Sequence, residues 1–131
     1  MEPNHEDSDQ INQFYQWIRG YLADLSRSAD GELSHAINFG YWEAGCKNLF
    51  DAEMAFFELI LSMLSPLEQG DHGVEIGCGI GGYAARLLER CPVQLTCYDL
   101  LEEHLQLTRQ FAETKAVAER LRTIQGNSME M

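Results

Sequence analysis

Positive charge is scarce in this chain: nine lysines and arginines stand against twenty-one aspartates and glutamates, a formal net charge of −12. That balance repels phosphate backbones and anionic lipid headgroups, so nucleic acids and membrane surfaces are poor candidates for partners. Long apolar runs are missing too. FFELILSML, residues 56–64, carries Glu58 and falls well short of the ~20 residues of a membrane span. The opening MEPNHEDSDQ is acidic where a secretory signal is basic. Cysteine is sparse: Cys46, Cys78, Cys91 and Cys97 form no C-x-x-C pair and do not alternate with histidine as zinc ligands do. No metal is therefore expected, and free thiols suit a reducing cytoplasm. There is no internal repeat and no low-complexity segment.

Apolar material is plentiful. At 131 residues and 45% hydrophobic, the chain has enough for one modest domain with its own core. Residues 1–8 read as a disordered polar tail. After it Ile11, Phe14, Tyr15, Ile18, Leu22 and Leu25 recur at helical spacing, with Asp7 or Ser8 as the cap. ADGELSHAINFGYWEAGC, residues 29–46, has neither helical nor strand period and reads as an ordered loop that must pack its rings. A second helix is expected over Leu49 to Leu64, with Pro66 limiting it.

Beyond residue 71 the pattern changes. HGVEIG reads as a strand, GGYAARLLER as a helix and VQLTCYD as a strand; LEEHLQLTRQFAETKAVAERL reads as a long helix and RTIQG as a third strand. Strands alternating with helices imply βαβ crossovers and a parallel sheet. The expected fold is a helical cap over 1–70 leading into a Rossmann-like α/β unit over 71–131.

The strand-to-helix turn of such a unit lies at the carboxyl end of the sheet, where ligands bind. VEIGCGIGG, residues 74–82, puts Gly77, Gly79, Gly81 and Gly82 there, residues that permit positive φ and let a ligand touch main chain. Twenty residues beyond Gly79, Asp99 ends the second strand, where a carboxylate can accept both hydroxyl hydrogens of a ribose. Two templates are satisfied. Gly77, Gly79 and Gly82 fit the dinucleotide pattern G-x-G-x-x-G, while Glu75, Gly77, Gly79 and Gly81 fit E-x-G-x-G-x-G. Glu75 decides between them: beside a pyrophosphate its carboxylate would be repelled by ~1 kcal/mol or more. A ligand bearing an ammonium and a sulfonium would be attracted, which describes S-adenosylmethionine.

VEIGCGIGG followed by CYDLLEEHLQLTR resembles the first two nucleotide-site motifs of the class I S-adenosylmethionine-dependent methyltransferases. INFGYWEAG, residues 37–45, is similar to the H-F-G-Y-W-like segment ahead of the core in members that methylate natural products, sugars and sterol-like substrates. IQGNSMEM resembles the segment after the third strand. The resemblance implies that Glu75 holds the methionine amino group and that Gly77, Cys78, Gly79 and Gly81 line the methionine and ribose portions. It implies that Asp99 binds the ribose hydroxyls and that Leu100 offers an apolar face to adenine. Asn127, followed by Ser128, takes the place of the usual Asp at the adenine amine; its amide can accept that bond without charge assistance. Tyr41 and Trp42 would close over the sulfonium, where ring faces stabilise positive charge by ~0.5 to 2 kcal/mol, or would simply pack the loop. His35 and His104 read as an exposed loop residue and a helix-surface residue, and no general base is identified.

The family fold continues through further strands, and one of them pairs with the glycine-bearing strand on its second side. The chain is therefore expected to be an N-terminal portion, incomplete as a catalyst on its own, with a small-molecule methyl acceptor. HGVEIG would be an open edge inviting a second copy or a complementing chain. Two alternatives stay open at this point: an NAD-binding module, and a non-catalytic dimerising or regulatory remnant of a methyltransferase.

Overall fold

The computed structural model describes residues 5–64 and 66–130. Helix α1 spans His5–Leu25 and α2 spans Leu49–Met63; strand β1 (His72–Ile76), helix α3 (Gly82–Arg90), strand β2 (Gln94–Asp99), helix α4 (Glu102–Thr114) and strand β3 (Leu121–Gln125) follow. Short 3-10 turns occupy Ala118–Arg120 and Ser128–Glu130. The three strands form one parallel sheet in the order β1-β2-β3, in register from His72↔Gln94 to Ile76↔Tyr98 and from Leu95↔Leu121 to Asp99↔Gln125. The α/β unit has the architecture expected of it.

One face of this sheet is covered. Leu88 of α3 and Leu105, Phe111 and Ala112 of α4 pack on Leu95 and Cys97 of β2, and these residues form the buried core. Side chains alternate across a strand, so Val74 and Ile76 point to the other face. They are 54% and 60% exposed, forgoing most of the ~1.5 to 3 kcal/mol that burying each would yield. Among the described residues β1 pairs with β2 alone, so its outer edge is free, as expected.

Two elements differ from expectation. α1 begins at His5, so Asp7 and Ser8 fall inside its first turn, where few intrahelical bonds exist to be lost; residues 1–4 of the expected tail lie outside the described residues. Within α1 only part of the apolar stripe is covered: Leu22 is buried, whereas Phe14 and Leu25 stand about half exposed. α4 stops at Thr114 instead of running to Leu121. There Ala116 turns to φ 58°, Ala116 N–H donates to Glu113 O and Val117 N–H to Ala112 O. A left-handed alanine costs about 1 to 2 kcal/mol. Burying Val117 in the core, worth a comparable amount, offsets it.

The cap is fastened to the α/β unit by polar contacts under the glycine turn. Arg86 of α3 donates to the carbonyl of Ser34 in the cap, and within the cap Ser26 Oγ donates to the fully buried Glu53 at 3.0 Å. Tyr83 Oη donates to Glu53 O at 2.7 Å and accepts from Asn38 Nδ2 at 2.9 Å. His35 is no free loop residue: its ring stacks on Phe111 at 3.9 Å and its carbonyl accepts from Gly82 N–H.

Candidate functional site

The turn after β1 is built from backbone that folds away from its own strand. Gly77 N–H and Cys78 N–H both donate to Tyr98 O, tying the ends of β1 and β2 together. Gly77, Gly79 and Gly81 all have positive φ, at 71°, 58° and 85°. Their surroundings divide them. A Cβ on Gly77 would meet nothing within 4 Å, so bare main chain faces open space there. At Gly81 a Cβ would come within 2.8 Å of Thr108 on α4, and at Gly82 within 2.4 Å of His35 O. Gly77 is thus bare toward the cavity, while Gly81 and Gly82 are bare because α4 and the cap press against them. Thr108 Oγ1 completes the support by donating to Gly79 O at 3.0 Å.

Above this turn lies a cavity of about 290 Å³ lined by Glu75, Gly77, Cys78, Gly79 and Asp99 from the sheet end. Tyr15 of α1, Phe56 and Ile60 of α2, Ala36, Ile37 and Asn38 of the loop, and Tyr83 and His104 complete the wall. Five of the site residues expected from sequence therefore meet in one place. Gly81 stands behind them, and Leu100 is half exposed next to Asp99. Tyr41 and Trp42 lie outside this lining, 46% and 58% exposed, with Trp42 Nε1 donating to Phe39 O. Asn127 Oδ1 accepts from Met129 N–H, capping the short turn that Ser128 opens.

The two carboxylates have opposite environments. Asp99 Oδ2 accepts from Gly79 N–H at 3.0 Å, and Oδ1 accepts from Leu101 N–H at 3.0 Å with His104 Nδ1 at 3.2 Å. Burial pushes the Asp99 carboxyl up, but the His104 contact and the two N–H donors outweigh it and hold it below its ordinary value. Glu75 has one hydrogen-bond donor among the described residues, the weak Sγ–H of Cys97 at 3.9 Å. Loss of water, with Asp99 adding like charge, pushes its carboxyl up to about 7. An enclosed acid with no cation beside it can accept a cationic ligand group at low cost.

Several wall residues carry no motif. Tyr15, Phe56 and Tyr83 arrive by tertiary packing, and nothing in their local spacing marks them, while Asn38 comes from the INFGYWEAG segment without having been singled out there. His104 corrects the expectation of a helix-surface residue: it is 1% exposed, because the first turn of α4 faces Asp99 and α1 packs over it. Its offset of five residues from Asp99, which places it in the first turn of α4, was the available signal. A second cavity of about 480 Å³ lies along the free edge of β1, apolar through Phe57, Leu61, Leu64, Leu67 and Val74, and shares Ile60, Glu75 and Tyr83 with the first.

A parallel β1-β2-β3 sheet, a glycine turn after β1 and an acid closing β2 constitute the opening part of the class I methyltransferase fold. The chain is also similar in sequence to two curated methyltransferases. It is 29% identical over 96 residues to erythromycin 3''-O-methyltransferase of Saccharopolyspora erythraea, across 72% of this chain and 31% of that protein. It is 26% identical over 126 residues to sterol 24-C-methyltransferase ERG6B of Gibberella zeae, across 96% of this chain and 32% of that protein. The chain thus spans about a third of the length of the curated relatives it matches. Among solved structures, a [4+2]-cyclase, SpnF, superposes with a TM-score of 0.75 at 22% identity, over 93% of this chain and 43% of that one. Geranyl diphosphate methyltransferase in complex with GPP and sinefungin superposes with a TM-score of 0.58 at 25% identity, over 62% of this chain and 30% of that one. No family model matches the chain. No helix among the described residues is long and apolar enough to cross a membrane.

Proposed function

We propose that this chain is the methyl-donor-binding part of a small-molecule methyltransferase, with S-adenosylmethionine as its cofactor. Residues 1–70 act as a cap over the partial cofactor-binding unit 71–131. The observation that carries this reading is Glu75: an enclosed carboxylate without a cation, beside the open main chain of Gly77. A methionine ammonium supplies the missing charge, whereas a pyrophosphate would add repulsion. Gly77, Cys78 and Gly79 then bound the methionine and ribose portions, Asp99 receives a ribose hydroxyl through Oδ2, and Leu100 lies against the base. Gly81 serves by letting α4 approach. Asn127 and Ser128 shape the turn beside the base, and Tyr41 and Trp42 belong to an outer loop at the mouth of the site.

When bound, the cofactor supplies an electrophilic methyl group that an acceptor oxygen, nitrogen or carbon attacks in line, with S-adenosylhomocysteine leaving. What direct displacement asks of the chain is positioning and exclusion of water. The glycine turn fixes the ligand's path, and Tyr15, Phe56 and Ile60 wall it from solvent. Four free cysteines accord with a cytoplasmic setting. The likeness to a cyclase means that the fold alone does not assign methyl transfer. Calorimetry of the purified chain should show binding of S-adenosylhomocysteine and none of NAD; the reverse pattern would replace this reading with a dinucleotide module. Methyl transfer by this polypeptide would remove the regulatory-remnant alternative. The free β1 edge with exposed Val74 and Ile76 supports pairing with a second copy or a complementing chain. Light scattering should find dimers or larger species, and a monomer at high concentration would count against that.

A further inference from the structure

We propose that His104 is a positioning residue for Asp99, holding its carboxylate in the orientation that receives a ribose; the inference rests on the cofactor reading above. His104 has its side chain almost wholly buried in the wall of the cavity, and Nδ1 lies 3.2 Å from Asp99 Oδ1. A buried imidazole is costly unless its polar atoms are paired, and Nε2 has no partner among the described residues. A residue chosen for packing would avoid that cost; at this place a methionine or leucine would fill the space. The ring is also held from behind, because Tyr15 of α1 meets it edge to face at 4.8 Å. α1 is tied to the same turn by Arg19 and Glu103 at 2.8 Å.

The acceptor count shows what the contact does. A carboxylate offers about four lone-pair positions. Leu101 N–H and His104 occupy both positions of Oδ1, and Gly79 N–H takes one on Oδ2. The carboxylate is therefore held from three directions, with its remaining position on Oδ2 left for a ligand hydroxyl. Removing His104 leaves Oδ1 with Leu101 N–H alone, loosens the carboxylate about its side-chain torsion, and blunts recognition of the ribose alone.

The test compares His104→Phe and His104→Asn in the full chain against two ligands, S-adenosylhomocysteine and its analogue lacking both ribose hydroxyls. Loss of one hydrogen bond to a charged group predicts that His104→Phe weakens the parent ligand about tenfold. The dideoxy analogue should change by less than about twofold, since it makes no bond to Asp99. His104→Asn, whose amide nitrogen can stand where Nδ1 stands, should recover most of the parent affinity. Equal loss for both ligands, or none for either, overturns the proposal. A ligand-free arm tests it independently: the Asp99 carboxyl, followed by carbon NMR, should titrate at higher pH in His104→Phe and return in His104→Asn, and an unmoved titration overturns it. If instead Asp99→Ala binds S-adenosylhomocysteine normally, the cofactor reading itself fails, a result separable from any in the His104 series.

Discussion

Glu75 and Asp99 sit at the ends of neighbouring strands and line one cavity, yet the fold treats them oppositely. Asp99 is held by two main-chain N–H groups and His104 and stays ionised below the usual range; Glu75 has a lone thiol for company and is pushed up to about 7. The difference separates two tasks. A carboxylate fixed by its own protein is a rigid acceptor for neutral hydroxyls, and one left wanting a counter-charge is a receptor for a cation. A single ligand with a ribose at one end and an ammonium at the other satisfies both.

The largest break of this pairing is Asp99→Ala, which removes the ribose acceptor and the anchor of Gly79 together. It should cost about a hundredfold or more in affinity for S-adenosylhomocysteine by calorimetry. Next is the stability of the unliganded chain. Glu75 has a folded-state value near 7 against an ordinary 4.5, so its contribution is complete below about 4.5 and is lost as pH rises through about 7. Above that range Glu75→Gln should unfold at a free energy higher by about 3 kcal/mol, while the two proteins converge toward pH 4. Denaturant melts across this range would show whether they diverge. The same variant should bind S-adenosylhomocysteine about tenfold more weakly near pH 8 and differ little near pH 6, where Glu75 is largely protonated in the free chain. The smallest expected effect belongs to Leu100→Ala: half exposed and contributing only an apolar face, it should weaken binding by less than about threefold.

The α/β half was legible because its signals are local. Apolar runs of strand length, a glycine turn and an acid at a fixed offset place β1, α3, β2 and β3 and bring Glu75, Gly77, Gly79 and Asp99 together. What escaped was set by tertiary contact. The end of α4 depends on Val117 reaching the core, and no glycine stands at the left-handed position to announce it. The spacing of Gly81 suited a ligand as well as it suited Thr108, and only the packing of α4 distinguishes the two. Tyr41 and Trp42 stood out as an aromatic pair, but the aromatic wall of the cavity is made by Tyr15, Phe56 and Tyr83, one from each of three helices. His104 looked like any polar residue on an amphipathic helix until α1 was seen to cover it.

Calorimetric titration of the chain with S-adenosylhomocysteine near pH 6.5, repeated in buffers of different ionisation enthalpy, counts the protons exchanged on binding. If the ligand ammonium settles against Glu75, its carboxyl must ionise further, and about half a proton per ligand should be released, with the release absent in Glu75→Gln. Binding with no proton exchange, or with uptake, would contradict a cation at Glu75.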